Sequence, residues 1–246
     1  MHQSPLLETI FEIKWEIEKR GTRPPFDPNY KIFIGRIFDR VMEEYPHHIA
    51  LPSSTMPDEI SAYIIQHQFR KDKDQWPLIQ VGQGIITLND TGGYSWKDFR
   101  ARAENLIRIL FDAYPNSSKM KISNLLLRYI NGRSFNFKTN DPRDFLERLH
   151  CNVNFNEEFF EITGAKDNIT SFDIGLVFPV MKPKGVIQNR FTRGMVRGQE
   201  AIIWECGVHS MGVDVPKQSN EILKWLDIAH EIPHKWFDHI KDKIGD

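Results

Sequence analysis

His230-Glu231-Ile232-Pro233-His234 reproduces the H-E-x-x-H pattern, in which two imidazoles one helical turn apart hold zinc and the glutamate acts as base on bound water. A catalytic zinc site needs a third protein ligand, usually a His beyond a glycine turn or a more distant Glu. Here Phe237 stands at the glycine position, Ile240 at the later His position, and the chain closes at Asp246. Pro233 also removes a helix hydrogen bond between the two imidazoles and tends to kink the helix. Leu223, Leu226, His230, Pro233, Phe237 and Ile240 recur at alternating spacings of three and four, which puts His230 on an apolar face. The expectation is a packed histidine hydrogen-bonded to a neighbour. His230, Glu231 and His234 are not expected to hold a metal, and no cofactor is expected.

Three other groups of residues invite a chemical reading. Lys182, Lys184, Arg190, Arg193 and Arg197 share an acid-free segment with Phe191. Such a ribbon could follow a phosphate backbone while the ring stacks on a base, or it could be a solvated hairpin rim whose cations pair with acids elsewhere. Arg128, Tyr129 and Asn131 close a Leu-rich strand, where they could serve a ligand or tie strand edges together. Asp173, Glu200 and Glu205 invite comparison with strand-borne nuclease carboxylates, but the Glu-x-Lys that usually accompanies them is absent. Cys151 and Cys206 have no His or Cys at metal-ligand or oxidoreductase spacing, and no phosphate-binding Gly-rich loop occurs.

The elements that must position these groups follow from periodicity. Phe11, Ile13, Trp15 and Ile17 alternate with Glu12, Lys14, Glu16 and Glu18, the pattern of a strand with one wet face. The run from Gly21 to Pro28 breaks it. Tyr30, Phe33, Ile34, Ile37, Phe38, Val41, Met42 and Tyr45 then mark an amphipathic helix that ends at Pro46. A loop through Leu51 to Ser54 leads to single strands at 61–69 and 77–89, joined by the charged stretch 70–75. The turn Asn89-Asp90-Thr91-Gly92-Gly93 precedes a helix opened by Ser95 with Asp98 at its third position. Beyond Pro115 the predicted order is a strand at 125–137, a short helix opened by Asp141-Pro142, strands at 159–163, 171–180, 185–192 and 199–211, and a helix from Ser219 to about Lys243.

The fold expected is α+β: antiparallel sheets with long helices on one face, built as a duplicated β-α-β-β-α unit. Residues 1–116 and 117–246 form the two halves, packed as one compact unit. The composition agrees with a folded core, since 246 residues carry 17 Phe, 6 Trp and 6 Tyr. Lys and Arg total 32 against 33 Asp and Glu, a formal net charge of -1, which excludes a uniformly basic nucleic-acid coat. No apolar run is long enough for a membrane helix, and the start Met1-His2-Gln3-Ser4-Pro5 has no leader character. With two cysteines only, the expectation is a cytoplasmic protein with no membrane role.

Several segments in order resemble a sporadically distributed bacterial family of uncharacterised proteins that is defined by a sequence model and has no assigned activity. They are Pro5-Leu6-Leu7-Glu8, Ile79-Gln80-Val81-Gly82 through Ile86-Thr87-Leu88-Asn89, Leu127-Arg128-Tyr129-Ile130-Asn131, and Asp227-Ile228-Ala229-His230 with Phe237. Where the family shows Asn-Trp, this chain has Asn89-Asp90. The resemblance implies a bacterial or phage-related cytoplasmic protein and assigns His230 to an Ala-His pair. The functional expectation is a noncatalytic binding or assembly module with a protein partner, one component of an operon-encoded complex of toxin-antitoxin or phage-defence type. The alternative is an enzyme acting on nucleic acid through residues 182–197 and dispersed carboxylates.

Overall fold

A computed structural model of the chain describes residues 4–19, 21, 24–91 and 93–244. Met1 to Gln3, Thr22 and Arg23 of the first break, Gly92 of the turn and Asp246 therefore lie outside the described residues. The elements run β1 (Leu6–Trp15), α1 (Tyr30–Val41), β2 (His47–Ala50), β3 (Ile65–Arg70), β4 (Leu78–Gly82), β5 (Ile85–Asp90) and α2 (Trp96–Ala113). They continue β6 (Ile122–Ser134), α3 (Pro142–Arg148), α4 (Glu157–Thr163), β7 (Asp173–Met181), β8 (Lys184–Val196), β9 (Gln199–Met211) and α5 (Ser219–Ile244). The nine strands among the described residues join one sheet in the order β2-β3-β4-β5-β1-β6-β9-β8-β7. Every neighbouring pair is antiparallel. The fold is α+β.

Each half begins with a strand, passes through helix, and returns as a meander whose last strand pairs with the first. A helix then covers it. The two leading strands, β1 and β6, lie side by side and antiparallel at the middle of the sheet. The element order thus repeats, with more strands in the first half than a β-α-β-β-α unit contains.

Three local expectations need correction. Residues 77–89 are two strands, because Gly82 pairs with Ile85 across a tight turn in which Gly84 has φ +75, a conformation glycine adopts freely. Burial on both faces conceals the break: Ile79, Val81, Ile86 and Leu88 join the helix-side core, while Leu78 and Ile85 are buried outside it. His47–Ala50 is a short strand on β3, too brief to show alternation. Residues 159–163 are helical, despite their Phe and Ile content. Asn156 accepts the Glu158 N–H at 3.1 Å, two acids occupy the first turn, and Gly164 closes it at φ +67.

The helices pack on the face of the sheet that carries Phe11, Ile13 and Trp15. Trp15 meets Phe33 and Tyr114 edge-on, both with centroids 5.6 Å away, and its indole N–H donates to Asp27 at 3.1 Å. Phe11 stacks near Trp225 of α5. Burying each such side chain contributes roughly 1.5–3 kcal/mol. A second, smaller core gathers Phe145, Leu146, Phe191, Ile202 and Trp204. Helix α5 serves both, with Ile222, Trp225, Leu226 and Ala229 in the first and Ile240 and Ile244 in the second. No helix among the described residues is long and apolar enough to cross a membrane.

Candidate functional site

Where α5 passes from one core to the other, its packing against the sheet is incomplete and a cavity of about 230 Å³ remains. Ring walls dominate it: Tyr94, Tyr129, Trp204, His230, Trp236 and Phe237. Tyr129 points inward because β6 alternates, placing Leu125, Leu127, Tyr129 and Asn131 on the helix side. Its hydroxyl lies 3.0 Å from the Tyr94 hydroxyl and 2.7 Å from His230 Nδ1, making a continuous polar chain from the α2 entry to α5. His230 is held flat against Trp96, with centroids 3.7 Å apart and planes 9° apart, and on the next turn of α5 His234 lies 5.0 Å away.

These surroundings fix the protonation of the site. Burial, and then the neighbouring His234, push the His230 imidazole down to about 4, so it is neutral at pH 7. Burial first, then Tyr94, holds the Tyr129 phenol well above its ordinary range. Burial pushes the Cys206 thiol up to about 12, so it carries no thiolate for nucleophilic attack or metal binding at neutral pH. Asn131 is 6% exposed, and its side-chain amide makes no hydrogen bond to a described residue. The interior offers the uncharged donors and acceptors of Tyr129, Asn131 and His230 in a largely aromatic enclosure, with Asp238 and His234 at its rim.

The Arg128, Tyr129 and Asn131 set is split by the same alternation. Tyr129 and Asn131 line the cavity, whereas Arg128 emerges on the opposite face, 3.4 Å from Glu205. As for the H-E-x-x-H residues, His230 is packed and hydrogen-bonded, Glu231 pairs with Lys235 at 3.0 Å, and His234 faces Asp238 at 3.4 Å. Helix α5 runs unbroken through Pro233.

In the basic ribbon, Lys184 pairs with Asp214 at 2.7 Å, and Arg190 donates to both oxygens of Asp173 at 2.8 and 2.6 Å. Arg193 pairs with Glu200 and lies over the Phe137 ring. Phe191, proposed as a base-stacking ring, is 2% exposed and belongs to the second core. That expectation is corrected: its alternation points it inward. Lys182 sits in the β7–β8 turn and Arg197 in the β8–β9 turn, at opposite ends of β8. Nor do the carboxylates converge on an open site, since Asp173 and Glu205 flank Arg190 while Glu200 holds Arg193.

Sequence reasoning passed over a further feature, the outer edge of the sheet. Among the described residues β7 pairs only with β8, and Val177 and Met181 on it are 59% and 80% exposed, with Leu176 and Phe178 also exposed. The turn Lys182-Pro183 joins Met181 to its partner Lys184. In a two-residue hairpin the flanking pair exchanges hydrogen bonds, so the odd-numbered residues of β7 bond toward β8. Ile174, Leu176, Phe178 and Val180 therefore aim their N–H and C=O groups outward. Pro179 falls on the inner row, where its missing N–H leaves the outer row complete. No protein-family model matches the chain, and no curated protein matches it.

Proposed function

We propose that the protein is a binding and assembly module that recruits another polypeptide by strand addition along β7. The observation that carries this reading is the edge itself: nine residues long, apolar on both faces and with its outer row of backbone groups intact. Sheet edges of this kind are usually blunted by charge, proline or a covering segment. Backbone pairing supplies affinity in such complexes and the side-chain pockets supply selectivity. The occupant we favour is β7 of a second copy. An antiparallel copy centred on Val177 sets Ile174 opposite Val180 and Leu176 opposite Phe178, matches outward backbone groups on both sides, and places no like charges face to face.

A bacterial or phage-related setting, in an operon-encoded complex, rests on the family resemblance described above. The pairing of Lys184, Arg190 and Arg193 with acids and the burial of Phe191 weigh against the nucleic-acid alternative. Light scattering after size exclusion tests the proposal. The wild type should be dimeric at micromolar concentration, and Val177→Lys should return it to monomer with an unchanged circular dichroism spectrum. A wild-type monomer at ~100 μM, or a dimer indifferent to Val177→Lys, would overturn it.

A further inference from the structure

We infer that the cavity bounded by Tyr129, Asn131, Trp204 and His230 is a binding site for a flat, uncharged, bicyclic aromatic molecule bearing a hydrogen-bonding ring atom. Size comes first. At about 230 Å³ the cavity exceeds the roughly 150 Å³ that accommodates benzene in an apolar protein void, and falls below the ~300 Å³ lower bound of drug-sized pockets. One fused ring pair fits this interval. Shape follows from the walls, which are mostly planar rings and so favour stacked or edge-on ring contacts over a branched aliphatic guest.

Polarity sets the remaining terms. Asn131 is more than nine-tenths buried, lines the cavity and has no side-chain partner among the described residues. Its amide atoms stay accessible from the cavity, where a ring N–H or ring nitrogen of a guest can hydrogen-bond to them. An uncharged guest suits the interior best, since the His230 imidazole is neutral and the Asp238 carboxylate at the rim is already engaged by Lys241 at 3.1 Å and His234 at 3.4 Å. An adjoining cleft of about 870 Å³ shares Ser4, Leu6 and Phe237 with the cavity. The inference is independent of strand addition at β7, whose residues do not line the cavity.

Indole is the probe, added to the full-length ¹⁵N-labelled protein. Saturable binding should shift the indole N–H resonances of Trp204 and Trp236 and leave that of Trp76, on the far surface loop, in place. Asn131→Leu, which keeps the branching at Cγ and removes the hydrogen-bonding groups, should weaken binding at least about tenfold, equivalent to the loss of one satisfied hydrogen bond. Cyclohexanol and indole-3-carboxylate should bind at least as weakly as indole does to that variant. Thermal melting of Asn131→Leu verifies that it folds. Absence of saturable shifts at millimolar indole, equal shifts at Trp76, or equal binding by wild type and a folded Asn131→Leu would each overturn the inference. The Val177→Lys monomer should bind indole as the wild type does, which separates failure here from failure at the edge.

Discussion

The two halves of the sheet share an order of elements but end differently. In the first half the meander closes on β2, four residues long and carrying His47, His48, Ile49 and Ala50, with the His48 and Phe69 rings stacked 5.0 Å apart. In the second it closes on β7, longer by five residues and exposing Leu176, Val177 and Phe178. The cores differ in the same sense. The first holds Phe11, Trp15, Phe33, Phe69 and Phe99 fully buried under three helices, while the second is small and borders a cavity. The first half therefore has the denser core and the second the longer, more exposed edge strand. The well-packed half can hold the sheet together while the other leaves an edge and a void open.

Core truncation gives the largest effect. Trp15→Ala should cost about 3–5 kcal/mol in denaturant unfolding, since it empties a dense site and strips Asp27 of the indole donor. Trp204→Ala should lie at the low end of that range, because Trp204, though as buried as Trp15, belongs to the smaller core and lies beside the cavity. If Trp204→Ala proved the costlier, the division into a stabilising and a presenting half would fail. Next in size is Tyr129→Phe, which leaves His230 Nδ1 without its partner and should cost about 1–3 kcal/mol.

A pH series sharpens the contrast at the junction of the halves. With its folded value depressed to about 4 and an ordinary unfolded value near 6.5, His230 takes up a proton on unfolding within that window. Its contribution is full above pH 6.5 and declines as the pH falls toward 4. The melting temperature of His230→Gln should therefore fall less steeply than that of the wild type between these limits, and parallel curves would contradict the assignment. The smallest effect belongs to Arg190→Gln, which removes an exposed pair with Asp173 without adding a like charge and should leave the melting temperature nearly unchanged.

Much of this arrangement is legible in the residues. The period of two in Phe11, Ile13 and Trp15 and the caps at Ser95 and Asp141 all correspond to observed features, because each is a local signal with a local cause. So does the α5 stripe, which places His230 among apolar neighbours. The β4–β5 turn was hidden because both faces of those strands are buried, and α4 because Phe159, Phe160 and Ile162 favour a strand until the caps decide otherwise. For the cavity, Tyr129, Asn131 and His230 could be singled out, but nothing local joins them to Trp204, Trp236 and Tyr94. Their meeting depends on how far α5 stands from the sheet. The openness of β7 was equally hidden, since strand order decides which strand lies outermost.

The central position of β1 has a consequence for how the chain matures. Its two neighbours are β5 and β6, so the leading strand of the chain waits for partners that appear some 80 and 120 positions later. While the chain is being synthesised, the segment through α2 can already close its own five-stranded sheet, with β1 as a temporary outer strand. Only the arrival of β6 covers it. Such distant pairings are entropically slow to form. A pause in translation between α2 and β6 would expose Ile10 and the backbone of β1, which the finished sheet covers on both sides, leaving only β2 and β7 outermost.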